Sequence, residues 1–343
     1  MNPEAYKLSP KGYDAKIAWL KGLSIIFVIL THNISHHFHD ISGFVYWGDM
    51  AVPLFLCIQA YHVFKRENNA PHTLLQSKTH KRIIIPFLCV SIALLLVDIC
   101  HCAWIDYSRS GLTLPYYNIL KNSTIQSIKQ TFTTAGLGTG SYYFWIWLQF
   151  ALLMPLCHTA FKHFGSKKLK EWQIAIIMIV LCEALEIFCS LCVKNPALYR
   201  VLCFRYVFLI YGGYLWARHG VRLTPLNIVL SAVSIIAIFV FYYKGRHFNI
   251  LFYPLWKQFH WICYFYVFHL LAHILIYLHE RIPWKGLTAA IERIGDKSYE
   301  IYLWQSVVFY LTSTFIQQYH GSALFVIATT LLCLIPAIST KRS

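Results

Sequence analysis

Charge is scarce in this sequence. Only 13% of its 343 residues are Asp, Glu, Lys or Arg, whereas a soluble domain carries about 25%. Charged side chains this sparse cannot cover a soluble surface. That excludes an ordinary cytosolic enzyme and leaves a polytopic membrane protein, with lipid as the solvent for much of its exterior. Acidic residues are scarcer still: 14 Asp and Glu stand against 30 Lys and Arg, for a net charge of +16. In a soluble chain that excess would point to nucleic acid. Here the basic residues fall in short clusters between apolar runs, the pattern that orients membrane proteins, so no nucleic-acid partner is expected.

Several motifs are also missing. The sequence has no Ser nucleophile elbow, phosphate-binding Gly loop, dinucleotide fingerprint or zinc-protease motif, and Gly136-x-Gly138-x-Gly140 opens no mononucleotide fold. No internal repeat suggests the inverted halves of many transporters. No small-residue cleavage site follows the first apolar run, so that run reads as a span and not as a cleaved signal. The 11 cysteines lie mostly inside apolar runs, where Cys behaves as a small hydrophobe. Cys100-His-Cys102 and Cys189-x-x-Cys192 sit at segment edges and complete no four-ligand set, so no metal is expected.

What the sequence does have is length in apolar runs. Hydrophobic residues make up 57%, and ten runs cover 17–35, 44–64, 83–101, 141–160, 172–192, 199–217, 225–243, 252–279, 299–317 and 321–339. Most suit about 30 Å of hydrocarbon; 252–279 is long and calls for tilt, an interfacial start or a bend at Pro254. The expected fold is all-α: a polytopic integral membrane protein of about ten transmembrane helices with both termini cytoplasmic. Orientation follows from the basic residues. Twenty of the 30 Lys and Arg fall in the segments on the side of the N-terminus and seven on the other, the bias of a chain with both ends inside. The expected layout is a cytoplasmic tail over 1–16, a membrane domain over 17–339 and a second tail over 340–343. The longest outer segment, 102–140, reads either as a lid or acceptor-binding loop or as a plain connection.

Ionisable residues within spans are costly in lipid and usually face a cavity or a partner. Lys21 and His32 are eleven residues apart, which leaves them about 20° apart on one helix face with a rise of about 16 Å. They suit a long ligand with an anionic end near Lys21 and a reacting end near His32, since imidazole is the usual base near neutral pH. A snorkelling lysine plus a boundary histidine gives the same spacing. The basic stretch Lys78-Thr-His-Lys81-Arg82 before Pro86 suits phosphates by charge and by guanidinium geometry, and it equally suits topological anchoring. Glu183 and Glu186, one turn apart, face a candidate partner in Arg205, as a structural ion pair or as part of an acceptor site. Asp49 and Asp98 are candidates to orient His32. His260, His269 and His273 read as polar lining or packing.

The stretch from Ile17 to His32, with Lys21 and His32 separated by ten residues, resembles the opening of the membrane acyltransferase type 3 family. Its recurring feature is an Arg or Lys, ten residues and then a catalytic His. Three further stretches are similar in order: Asp49 to Tyr61, the basic loop Lys78 to Pro86, and Ser298-Tyr-Glu-Ile-Tyr-Leu-Trp304. Relatives often carry His after the last of these, where this chain has Gln305. The resemblance covers nearly the whole chain and is nearest to the stand-alone surface-carbohydrate O-acetyltransferases.

The resemblance implies a bacterial inner-membrane enzyme that moves an acyl group, acetyl by default, from acyl-CoA to a hydroxyl of a surface or lipid-linked carbohydrate. It implies His32 as the catalytic base or acyl carrier, and Lys21, Lys78, Lys81 and Arg82 as the residues that hold the CoA phosphates. Acyl-CoA would be a donor substrate and not a resident cofactor. The implied partners are the bilayer, the glycan acceptor and other polysaccharide-synthesis proteins. An exporter or flippase component for a surface polysaccharide or lipid-linked sugar is the competing reading.

Overall fold

The computed structural model describes residues 14–34, 51–65, 80–110, 115–134, 136, 140–166, 169–193, 196–244, 260–316 and 322–339. Within them the chain is helical: α1 (Ala15–Asn33), α2 (Ala51–Lys65), α3 (Ile85–Ser110), α4 (Tyr116–Thr134), α5 (Tyr142–Ser166), α6 (Glu171–Cys192), α7 (Pro196–Val201), α8 (Val207–His219), α9 (Pro225–Lys244), α10 (His260–Arg281), α11 (Lys285–Asp296), α12 (Ser298–Phe315), α13 (Ala323–Cys333) and α14 (Ile335–Ser339). A π-helical turn, His80–Ile84, leads into α3. A short 3₁₀ turn, Phe204–Tyr206, leads into α8.

Among the described residues, four stretches are long and apolar enough to cross a membrane: Ala15–Asn33, Lys81–Arg109, Tyr142–Phe164 and Glu171–Cys189. Their outward faces carry large apolar side chains such as Leu96, Leu152 and Val180, each about three-fifths exposed. Such extensive apolar exposure is rare in soluble monomers and normal in lipid. The protein is therefore an all-α chain of polytopic membrane character.

Where they are described, the ten predicted runs are largely helical, but two are broken. The run 199–217 divides into α7, the 3₁₀ turn and the 13-residue α8. The run 321–339 breaks between α13 and α14, where Pro336 has no N–H to continue the ladder. In the run 252–279 the described residues begin at His260 and are helical; residues 252–259, Pro254 among them, lie outside the described residues.

Two elements appear where connections were expected. Helix α3 extends to Ser110, and α4 folds back on it through small hydroxyl residues; Ser123 is fully buried and donates to the Asp106 carboxylate at 3.0 Å. Helix α11 lies between α10 and α12 and docks on α1. Its glycine allows that approach: a Cβ on Gly295 would lie 2.8 Å from the Gly22 backbone nitrogen.

Helices in lipid gain little from apolar burial against each other, so close packing holds them together. The closest pairs are α2 with α8 and α1 with α11. Gly213 of α8 sits against the turn Cys57–Tyr61 of α2. A large aromatic core follows, around Phe208, Tyr211, Trp216, Phe265 and Phe268. A second cluster joins Ile25, Val28 and Ile29 of α1 to Phe87, Phe144, Tyr302 and Phe309. It surrounds the candidate site.

Candidate functional site

Helix α1 is fixed at its start by Asp14. One carboxylate oxygen accepts from the Ile17 N–H at 3.3 Å. The other accepts from the Tyr61 hydroxyl at 3.0 Å and from Lys65 Nζ at 3.1 Å. Burial pushes this carboxyl up, and Lys65 with Tyr61 more than offset that, holding it below its ordinary value. The cap thus ties the N-terminus of α1 to the C-terminus of α2 and sets where the far end of α1 comes to rest.

That far end carries His32. Ile25, Val28 and His32, on one stripe of α1, line a cavity of about 730 Å³, within the range of small-molecule sites. His32 is half-buried, with its ring edge-on to Phe309 at 5.6 Å between centroids. The opposite wall comes from Gly140, Tyr143 and Trp147 at the start of α5. A third wall comes from the α11–α12 junction and α12, with Asp296, Lys297, Tyr299, Glu300, Tyr302 and Gln305.

Arg82 lines the same cavity from the π turn before α3. The turn widens the helix just ahead of Pro86, which has no N–H to give to the ladder. Tyr299 holds it in place, its hydroxyl donating to the Ile83 carbonyl at 2.6 Å. Arg82 makes no ion pair with any described residue, so its guanidinium is available to a ligand.

Tyr302 anchors the outer rim. Its hydroxyl donates to the Gly140 carbonyl at 3.2 Å and to the Ser141 carbonyl at 3.4 Å, and its ring meets Tyr143 edge-on at 5.4 Å. Gly140 has φ +89°, a left-handed conformation that glycine adopts without strain. A Cβ there would lie 3.9 Å from His32 Nε2 and 3.7 Å from Gln305 Nε2. His32, Gln305 and Gly140 therefore meet at one point.

The structure thus brings His32 and Arg82 into one cavity. Lys81 is exposed beside Arg82 and does not line it. Lys21 is half-buried and does not line the cavity, but it is faced electrostatically by Asp296 and Glu300, two residues that do. Lys78 and Asp49 lie outside the described residues, as do the side chains of Glu186 and Arg205. Asp98 does not line the cavity; its carboxylate accepts from the Tyr310 hydroxyl at 2.5 Å.

Asp296, Tyr143 and Trp147 were missed in the sequence. The signal for Asp296 was available, since Asp296-Lys297-Ser298 is a polar triplet directly before an apolar run.

A larger cavity, of about 1060 Å³, lies among α6, α8, α9 and α10 and contains neither His32 nor Arg82. His269 lines it but is held by its neighbours. Nδ1 accepts from Trp216 Nε1 at 2.8 Å, so Nε2 carries the proton and donates to the Arg222 carbonyl at 3.0 Å. His273 Nδ1 similarly lies 3.1 Å from the Val221 carbonyl. These two histidines clamp the α8–α9 connection onto α10, which is a packing role.

No curated protein and no solved structure matches the chain. The sequence model of one family, described as an acyltransferase domain, matches residues 14–341. That span takes in every helix around the His32 cavity and nearly the whole protein, so the chain belongs to the membrane acyltransferase type 3 family.

Proposed function

We propose that the protein is a membrane O-acyltransferase. It moves an acyl group, acetyl by default, from cytoplasmic acyl-CoA to a hydroxyl of a cell-surface or lipid-linked carbohydrate. The observation that carries this reading is the shared cavity: His32 and Arg82, the latter with no ion pair among the described residues, line the same 730 Å³ space. In the proposed arrangement, residues 17–339 form one membrane domain of ten helical crossings in a bacterial inner membrane, with both termini cytoplasmic.

Arg82, with Lys81 and Lys78 beside it in sequence, meets the CoA phosphates through charge-assisted hydrogen bonds. Lys21 adds to the field at that end, but Asp296 and Glu300 offset much of its charge, so its pull on the donor is weaker than that of Arg82. The aromatic wall of Tyr143, Trp147 and Tyr302 excludes water from the thioester. His32 Nε2 takes the acceptor hydroxyl proton as the oxygen attacks the thioester carbonyl, and the proton then passes to the leaving thiolate.

The test is transfer of label from [acetyl-¹⁴C]-CoA into the glycan and glycolipid fractions of membranes containing wild type or His32→Ala at matched levels. Label that depends on His32 supports the reading. Equal labelling by a stably inserted His32→Ala refutes it.

A further inference from the structure

Gln305 is anomalous among the buried polar groups. It is 0% exposed, yet neither Oε1 nor Nε2 has a hydrogen-bond partner among the described residues. Nearby hydroxyls on α12 satisfy themselves by bonding back to the helix: Ser306 donates to the Tyr302 carbonyl at 3.1 Å and Thr312 to the Val308 carbonyl at 2.8 Å. A primary amide has two N–H donors and a carbonyl acceptor, and leaving all of them unmade in a buried site is unfavourable unless a ligand or water in the cavity completes them.

The geometry says where that ligand lies. Gln305 lines the cavity. Its Nε2 and His32 Nε2 both fall within 4 Å of the point where a Gly140 Cβ would stand. Gly140 keeps that point open, and its φ of +89° disfavours any other residue. Rotating the carboxamide half a turn exchanges Oε1 and Nε2 without breaking any bond to the described residues. A proton acceptor and an amide donor thus address one small volume beside the Tyr302 ring.

We infer that Gln305 Nε2–H is the hydrogen-bond donor to the acyl carbonyl oxygen of the bound thioester. It stabilises the charge that forms there during transfer. The inference rests on the acyltransferase reading above.

In the step, the acceptor O–H bond breaks and its proton goes to His32 Nε2. The hydroxyl oxygen bonds to the carbonyl carbon, and the carbonyl π pair moves onto oxygen, where Gln305 N–H meets it. That pair then returns, the C–S bond breaks, and the CoA sulfur leaves with the proton from His32. The products are the ester and free CoA thiol. The hydrogen bond strengthens as the oxygen gains charge, so it acts on kcat more than on donor binding.

The experiment uses the full chain in inverted membrane vesicles of its native host, supplied with acetyl-, succinyl- or butyryl-CoA. Wild type, Gln305→Met, Gln305→Asn and His32→Ala are compared at matched levels, with the Tm of each purified protein. Gln305→Met is expected to lower kcat by about 100- to 1,000-fold, the effect of losing one oxyanion donor, with KM for the donor within about threefold. Gln305→Asn, which keeps a retracted amide, is expected to recover part of the rate. The Tm of Gln305→Met should equal or exceed that of wild type, because an amide with no partner among the described residues has become an apolar thioether chain.

Full kcat in Gln305→Met alongside loss in His32→Ala would overturn this inference and leave the acyltransferase reading standing. So would a large drop in the Tm of Gln305→Met, which would make the amide a structural bond. Absence of any transfer by wild type would defeat both.

Discussion

A methyl group added at Gly295 tests whether α11 positions the cavity. A Cβ there would stand 2.7 Å from the Ala18 carbonyl carbon and 2.8 Å from the Gly22 nitrogen, and nearer still to the Ala18 carbonyl oxygen. Carbon contacts are comfortable at about 3.5–4.0 Å. The atoms met are backbone, which has no rotamer to yield, so α11 must move off α1 by about 1 Å. Forced overpacking of this kind costs about 1–3 kcal/mol.

The displacement passes directly to Asp296, Lys297 and Tyr299, which line the cavity. A misplacement of about 1 Å at a reacting site lowers the rate on the order of 100-fold. Gly286, on the same helix, is the control. Nothing lies within 4 Å of its Cβ position, and Ala at a helical position is favoured over Gly by up to about 1 kcal/mol. Thermal unfolding of the detergent-solubilised protein and acyl transfer in vesicles should therefore separate the two. Gly295→Ala loses stability and most activity, while Gly286→Ala keeps both. Wild-type stability and rate in Gly295→Ala would refute the docking of α11 on α1 and its role in shaping the site.

Other substitutions give independent readouts. Arg82→Ala should raise the donor KM by about 10- to 150-fold, the loss of a charged hydrogen bond of about 1.5–3 kcal/mol, with kcat little changed; an unchanged KM would remove Arg82 from donor binding. Tyr299→Phe deletes the bond to the Ile83 carbonyl and should cost about 1 kcal/mol in stability while raising the same KM more weakly than Arg82→Ala does. Asp14→Ala should cost about 1 kcal/mol at neutral pH, from the lost cap and a partly exposed ion pair. The Asp14 carboxyl is held below its ordinary 3.8 in the folded protein. Its contribution is therefore complete above about pH 4 and fades as pH falls through the folded value. Asp14→Asn should flatten that part of the acid denaturation curve, and an unchanged slope would contradict the assignment.

Much of this was legible in the sequence because lipid imposes simple rules. Apolar runs of about 20 residues had to be helices, and the described parts of the runs are largely helical. The pairing of Lys21 with His32 on one face of α1 followed from 3.6 residues per turn. Ile25, Val28 and His32 do share a cavity-lining stripe, while Lys21, one turn earlier, meets Asp296 and Glu300 instead.

What the sequence hid were tertiary placements. Helix α11 carries charges at Lys285, Glu292 and Arg293 and so reads as a loop. Its apolar positions Leu287, Ile291 and Ile294 recur at helical spacing, however, and its glycine fits α1. In the sequence Gln305 stands out only as the position where relatives often carry His. Its burial, its lack of partners among the described residues and its place beside Gly140 and His32 come from the structure. The division of 199–217 into two helices had no Pro or Gly to mark it.

The most direct test of the account is mass spectrometry of surface glycans from cells that lack the native protein and carry wild type or His32→Ala at equal membrane levels. The account predicts an added acyl mass, 42 Da in the acetyl case (about the mass of C₂H₂O), in wild type and its absence in His32→Ala. The same acyl mass in both strains would contradict it. So would loss of the glycan itself on deletion, restored in full by His32→Ala, which would make the protein a carrier of the glycan and not its modifier.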